Sequence, residues 1–97
     1  MWIEEWQWDD GNLTELAAHG VSPRIVEQVA QGSPRFRQNR RRRAATHQMI
    51  GPDAGGTIWV VCIMQVGGHP GLWRAITGWK ARDHEVAWYE KIVGGKR

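Results

Sequence analysis

The hydrophobic pattern of the chain changes its period at Trp79–Lys80, from two residues to about 3.6. Before this point the residues alternate between two faces, which predicts a half-buried strand over Leu72–Trp79. After it, Val86, Tyr89 and Val93 fall on one face of a predicted helix over Ala81–Val93. A strand is therefore expected to lead directly into a helix. Charged and polar side chains crowd near that junction: Arg74, Lys80, Arg82, His84, Glu85 and Tyr89.

These side chains admit two interpretations. Cations, a carboxylate, an imidazole and a phenol on rigid elements are the groups needed to handle a phosphodiester. The alternative is a basic strand edge beside an ordinary amphipathic helix with solvated charges. Composition alone favours the second interpretation, so the first needs support from the rest of the chain.

The rest of the chain predicts a sheet with helices packed on it. Ser22 as N-cap and Pro23 at the first helical position begin the second of two short helices. Strands are expected over Trp2–Trp8, Thr46–Ile50, Thr57–Val66 and Leu72–Trp79, with an extended edge strand around Arg35–Arg40. The order β-α-α-β-β-β-α indicates one α+β domain, residues 1–97, with an antiparallel sheet.

Basic residues are concentrated in one segment, although the formal net charge is only +3 and the pI is about 9.6. No acidic residue lies between Glu27 and Asp53. The arginines of this segment are Arg35, Arg37, Arg40, Arg41, Arg42 and Arg43. Such a run attracts a polyanion, whether RNA, DNA or an acidic protein segment, and among these we predict RNA. The alternative is a solvated basic edge that discourages pairing with other sheets.

Several classes of site and location are disfavoured. Cys62 is the one cysteine, so no disulfide can form within the chain, which suits a reducing cytoplasm. The four histidines have no paired spacing, so we expect neither a metal site nor a cofactor. No apolar stretch approaches the roughly 18 residues of a membrane span. Trp2, Trp6 and Trp8 share one face of the first predicted strand, as core or as a seam between subunits.

Several short motifs occur along the chain, each once, in a recognisable order. They are Trp8-Asp9 with Asn12, His19–Ser22, Gly51 with Gly55-Gly56, Ile76–Ala81, and then Glu85 and Tyr89. This ordered set resembles the BrnT family, which are RelE-like ribonuclease toxins of bacterial type II toxin–antitoxin systems. The resemblance spans most of the chain, from Trp8 to Glu90. Trp79 replaces the arginine that the family usually has before its lysine, and His47 replaces a strand arginine.

The resemblance implies a RelE-like fold and a cytoplasmic endoribonuclease that needs no metal. It also implies a cognate antitoxin, usually with a ribbon-helix-helix domain, that neutralises the toxin and carries the pair to operator DNA. Inhibition of translation and growth would follow from RNA cleavage. The alternative is a non-catalytic module on the same fold that binds nucleic acid or protein.

Metal-free RNA cleavage uses the ribose hydroxyl of the substrate as nucleophile, and the protein supplies acid–base groups and cations. We predict that Arg74 and Lys80 contact the phosphate. Glu85 or His47 would act as base or acid, and Tyr89 would position a hydroxyl. Each of these residues also has an ordinary structural explanation, as a strand tip, a surface lysine, a paired carboxylate or a sheet histidine.

Overall fold

Three helices and a five-stranded sheet make up residues 2–40 and 44–94, the part of the chain that this computed structural model describes. The elements in chain order are β1 (Glu5–Trp6), α1 (Asp10–Ala18), α2 (Pro23–Gln31), β2 (Arg35–Gln38), β3 (His47–Pro52), β4 (Ile58–Gln65), β5 (Leu72–Lys80) and α3 (Asp83–Gly94). The predicted α+β class is confirmed. The edge strand expected around Arg35–Arg40 is present as β2.

The sheet is mixed, which corrects the prediction of an antiparallel sheet. Its strand order is β1-β5-β4-β3-β2, and the neighbours from β2 to β5 are antiparallel. β1 instead runs parallel to β5, with Glu5 opposite Leu72 and Trp6 opposite Trp73. Parallel neighbours need a long connection, which the helices and three intervening strands supply here. The first strand is also shorter than predicted, because only two residues of Trp2–Trp8 pair.

Local signals determine the helical hairpin formed by α1 and α2. Asp9 caps α1 in a reciprocal capping box with Asn12, each side chain accepting the other residue's backbone N–H. Gly20 follows α1 with a φ of 76°, a conformation that favours glycine. The Ser22 hydroxyl then accepts the backbone N–H of Ile25, and Pro23 begins α2. The hairpin therefore forms as the sequence predicts.

Two clusters of buried side chains divide the sheet into two faces. The hairpin face carries Leu16, Val21, Val26, Val29, Met49, Val61, Ile63, Trp73 and Ala75. The α3 face carries Ile50, Val60 and Tyr89. Gly78 has no room for a side chain beside β4, because an added Cβ would lie 2.9 Å from the Val60 carbonyl oxygen. The same Cβ would be in ordinary contact with Leu16 of α1, at 3.5 Å.

The buried side of α3 differs from the predicted one. Glu85 and Tyr89 are buried, whereas Val93 is exposed and Val86 is only half-buried. The helix is therefore rotated so that a carboxylate, rather than a valine, faces the sheet. Among the described residues, no helix has the length and apolar character needed to cross a membrane.

Candidate functional site

Arg74 is held by an acidic partner at the N-terminus of α1. Its two terminal nitrogens contact the two carboxylate oxygens of Asp9, at 2.5 and 2.9 Å. One of them also donates to the Gln7 side chain at 3.4 Å. The guanidinium and the backbone N–H of Asn12 lower the pKa of Asp9 from 3.8 to about 2. This contact ties β5 to the cap of α1, and it engages the guanidinium that the sequence assigned to a phosphate.

Lys80 lies on the hairpin face. It is opposite Trp59 in the β4–β5 register, and Trp59 packs against the core of that face. Trp79, one residue earlier, is opposite Val60 and therefore lies on the α3 face. Lys80 and Glu85 therefore lie on different faces of the sheet, and the predicted site residues Arg74, Lys80 and Glu85 are not brought together. The physical reason is that β5 continues through Lys80, so strand alternation separates Lys80 from the α3 face.

Glu85 is buried at the start of α3, with 2% of its surface exposed. Its carboxylate accepts the indole N–H of Trp79 at 3.0 and 3.2 Å and the backbone N–H of Arg82 at 2.8 Å. The guanidinium groups of Arg82 and Arg37 lie 3.8 and 4.0 Å from it. Trp79, which replaces the arginine of the BrnT pattern, therefore donates a neutral hydrogen bond to this carboxylate.

His47 and Tyr89 each have a hydrogen-bond partner other than Glu85: Thr46 for the His47 Nδ1 and Ser33 for the Tyr89 hydroxyl. His47 is opposite Ile63, and its ring meets that of Trp73 edge-on at 5.7 Å, so it belongs to the hairpin face. The Tyr89 hydroxyl donates to the backbone carbonyl of Ser33 at 2.6 Å. Their predicted chemical roles stay predictions, and each side chain has a structural contact.

A cleft on the α3 face brings together residues that were not predicted to meet. Its volume is about 400 Å³. Its lining is basic, polar and aromatic: Arg37, Gln38, Asn39, Arg40, Gln48, Trp79, His84, Glu85 and Trp88. We call it the arginine–tryptophan cleft. A neighbouring cavity of about 500 Å³ shares Asn39 and Trp79 with it and includes Arg82.

Cation–π contacts order the cleft. The guanidinium of Arg37 lies over the ring of Trp88 at 4.8 Å, and that of Arg82 over Trp79 at 5.1 Å. Arg37 also donates through Nε to the Gln48 side chain at 2.8 Å. Two guanidinium groups are thus held at fixed positions around one buried carboxylate. Fixed cations lose less conformational entropy when they bind an anion than mobile ones do.

The arginine run contributes to this cleft only in part. Arg35 and Arg37 share the α3 face, since they are opposite Ile50 and Gln48. Arg35 donates to the Pro34 carbonyl at 3.2 Å, and Arg40 is exposed. The remaining predicted RNA-binding residues, Arg41, Arg42 and Arg43, lie outside the described residues.

The sequence analysis named Arg82 and His84 at the junction and Trp79 as a departure from the family pattern, but gave none of them a catalytic role. It did not single out Trp88. A usable signal existed for Trp88, because it lies three residues after Glu85 and so shares its side of a helix. No such signal joined α3 to Arg37, because that contact depends on how the helix packs across the sheet.

Comparisons with known proteins add no assignment, since no protein-family model and no curated protein matches the chain. Within residues 2–40 and 44–94, no three histidine, cysteine, aspartate or glutamate side chains are grouped so that they could hold a metal ion. We therefore infer the function from the chemistry of the arginine–tryptophan cleft.

Proposed function

We propose that this protein is an RNA-binding toxin of the BrnT type, and that single-stranded RNA binds in the arginine–tryptophan cleft. The observation that carries the proposal is the pair of arginines stacked on tryptophans beside Glu85: Arg37 on Trp88 and Arg82 on Trp79. Guanidinium groups bind phosphate oxygens, and exposed aromatic faces stack on unpaired bases. The motif resemblance to BrnT supports the choice of RNA over other polyanions.

The position of the cleft also supports a nucleic-acid ligand. Arg40 lines it and is exposed, and β2 leads from Arg37 toward the arginine run. Phosphates that follow this edge would meet successive cations, and Glu85 has little exposed surface with which to repel them. Single strands are favoured over duplexes because stacking on Trp88 requires an unpaired base.

Metal-independent cleavage is a second candidate function of the same cleft. His84 and Glu85 are adjacent at the start of α3, and both line the cleft with Arg37. In this arrangement the exposed His84 would take the proton of the ribose 2′-hydroxyl as its oxygen attacks the phosphorus, and the guanidinium groups would stabilise the phosphorane. The P–O5′ bond would then break, and the 5′-oxygen would leave after taking a proton from water. Catalysis would then use these residues instead of Arg74 and Lys80.

The binding proposal is tested with a fluorescent ten-nucleotide single-stranded RNA and three variants. Arg37→Gln and Arg82→Gln are each expected to weaken binding roughly tenfold, about 1.4 kcal/mol. Arg24→Gln is the matched control, because Arg24 is exposed on α2 and its replacement changes the net charge by the same amount. Equal losses in all three variants would show that overall charge, rather than the cleft, binds RNA.

The cleavage candidate is tested in EDTA and in growing bacteria. His84→Ala is expected to abolish RNA cleavage and growth arrest, while Lys80→Ala retains both, because Lys80 lies on the other face. Co-expression of a cognate antitoxin, expected to be a ribbon-helix-helix protein, would restore growth. Intact RNA with wild-type protein would remove the enzyme candidate and leave the binding module.

A further inference from the structure

A second concave surface lies on the hairpin face, where the N-terminal segment approaches α2 and β2. Its volume is about 670 Å³, within the range of pockets that enclose a compact ligand or a few side chains. Three indoles and three carboxylates dominate its lining: Trp2, Trp6 and Trp8 with Glu4, Glu5 and Glu27. We call it the tryptophan–glutamate groove.

The indoles of this groove are fixed in place but not fully covered. Trp2 is 60% exposed, although its backbone carbonyl accepts the indole N–H of Trp73 at 2.9 Å. Trp6 and Trp8 are half-buried, with ring centroids 6.3 Å apart. Backbone hydrogen bonds from Glu4 and Glu5 to the Gly71 carbonyl hold this segment against the sheet. Large, immobilised and partly exposed indoles are typical of the centres of protein–protein interfaces.

The negative charge of the groove indicates that it binds a basic ligand. Its described lining contains three glutamates and no lysine or arginine, whereas the whole chain carries a net charge of +3. Such a surface repels RNA and anionic lipid. It attracts guanidinium and ammonium groups, which can lie on an indole and pair with a carboxylate at the same time.

We propose that the tryptophan–glutamate groove binds a basic peptide segment of a partner protein, with arginine or lysine side chains between the indoles and the glutamates. The proposal does not depend on RNA binding, because the arginine–tryptophan cleft lies on the other face of the sheet. A second copy of this chain also has a basic segment and could occupy the groove. The experiment must therefore distinguish binding of a partner's basic peptide from self-association.

The experiment uses the full-length protein and a five-residue peptide of alternating arginine and leucine. Each of the seven tryptophans has one indole N–H, so ¹⁵N-edited NMR follows every ring separately. The indole signals of Trp2, Trp6 and Trp8 are expected to shift saturably with the peptide, while those of Trp79 and Trp88 stay unchanged. A matched peptide of alternating glutamate and leucine is expected to shift none of them.

Charge-reversal variants identify the carboxylates responsible. Glu5→Lys with Glu27→Lys, both at exposed positions, is expected to weaken peptide binding at least roughly tenfold. Asp83→Lys with Glu90→Lys, both exposed on α3, makes the same change of net charge away from the groove and is the matched control. Absence of shifts at the three indoles, or equal binding of the glutamate peptide, would overturn the proposal. A dimer of the wild-type protein in sedimentation that Glu5→Lys with Glu27→Lys dissociates would assign the groove to a second copy of this chain. That result would also overturn the proposal.

Discussion

Arg74 illustrates at the scale of a single residue how a neighbour decides what a cation does. Asp9 is already fixed as the N-cap of α1, so its carboxylate is oriented before it meets the guanidinium. The resulting two-point contact is the geometry in which arginine binds carboxylates most strongly. A residue that sequence reasoning assigns to a phosphate therefore connects a strand to a helix.

Replacement of Asp9 by asparagine separates this ion pair from the helix cap, because asparagine also caps helices well. The pKa of Asp9 is lowered from 3.8 to about 2 in the folded protein, so its carboxylate stabilises the fold above about pH 4. That contribution is lost as the pH falls toward 2. Asp9→Asn is expected to be less stable at neutral pH, and its stability should change less between pH 4 and 2.

Denaturant unfolding at a series of pH values measures this effect. Asp10→Asn is the matched control, since Asp10 is also a carboxylate in the first turn of α1. Identical pH profiles for wild type and Asp9→Asn would show that the contact with Arg74 contributes nothing to stability in solution.

At the scale of elements, two hydrogen bonds from the buried side of α3 attach the helix to the sheet region. Glu85 connects its first turn to Trp79 on β5. Tyr89, one turn later, bonds to the Ser33 carbonyl, just before β2 begins. These two contacts place α3 beside the strand that carries Arg37, and the cleft exists because the helix spans from β5 to β2.

Tyr89→Phe tests whether this tyrosine is structural. Loss of the hydroxyl leaves the Ser33 carbonyl without this partner, and the free energy of unfolding is expected to fall by about 1 kcal/mol. Thermal or denaturant unfolding measures the change, and RNA binding below the unfolding transition should stay within about twofold of wild type. Impaired RNA binding or cleavage at unchanged stability would instead support the role in positioning a hydroxyl.

At the scale of the whole molecule, the two concave surfaces on opposite faces of the sheet have linings of opposite charge. The α3 face presents Arg37, Arg40 and Arg82, and the hairpin face presents the glutamates of the tryptophan–glutamate groove. The net charge of +3 does not show that acidic and basic residues are grouped on opposite sides of the sheet. An acidic surface directs a polyanion toward the opposite, basic side of a small protein.

The salt dependence of RNA affinity measures how many cations take part. Each phosphate contact to a single strand contributes about −0.7 to the slope of log affinity against log salt, so three arginines predict a slope of about −2. Fluorescence anisotropy between roughly 50 and 200 mM salt gives this slope, and Arg37→Gln should reduce its magnitude by about 0.7. A flat response would contradict a phosphate-binding cleft.

Sequence alone determined what depends on neighbours along the chain. The cap at Ser22, the left-handed Gly20 and the strand over Leu72–Trp79 all follow from local conformational preferences and periodicity. It also determined the α+β class, since alternating and helical patterns are both strong. The helix caps are predictable because they involve groups only a few residues apart, and the strand is predictable because its alternation is visible in the sequence.

Only the tertiary structure decided which side chains meet across the sheet. The parallel pairing of β1 with β5 and the rotation of α3 that buries Glu85 both depend on contacts between segments far apart in sequence. Periodicity shows that two residues of a strand point to opposite sides, but it does not say which side a later helix will cover. Packing of α3 settled that choice, and with it the composition of the cleft.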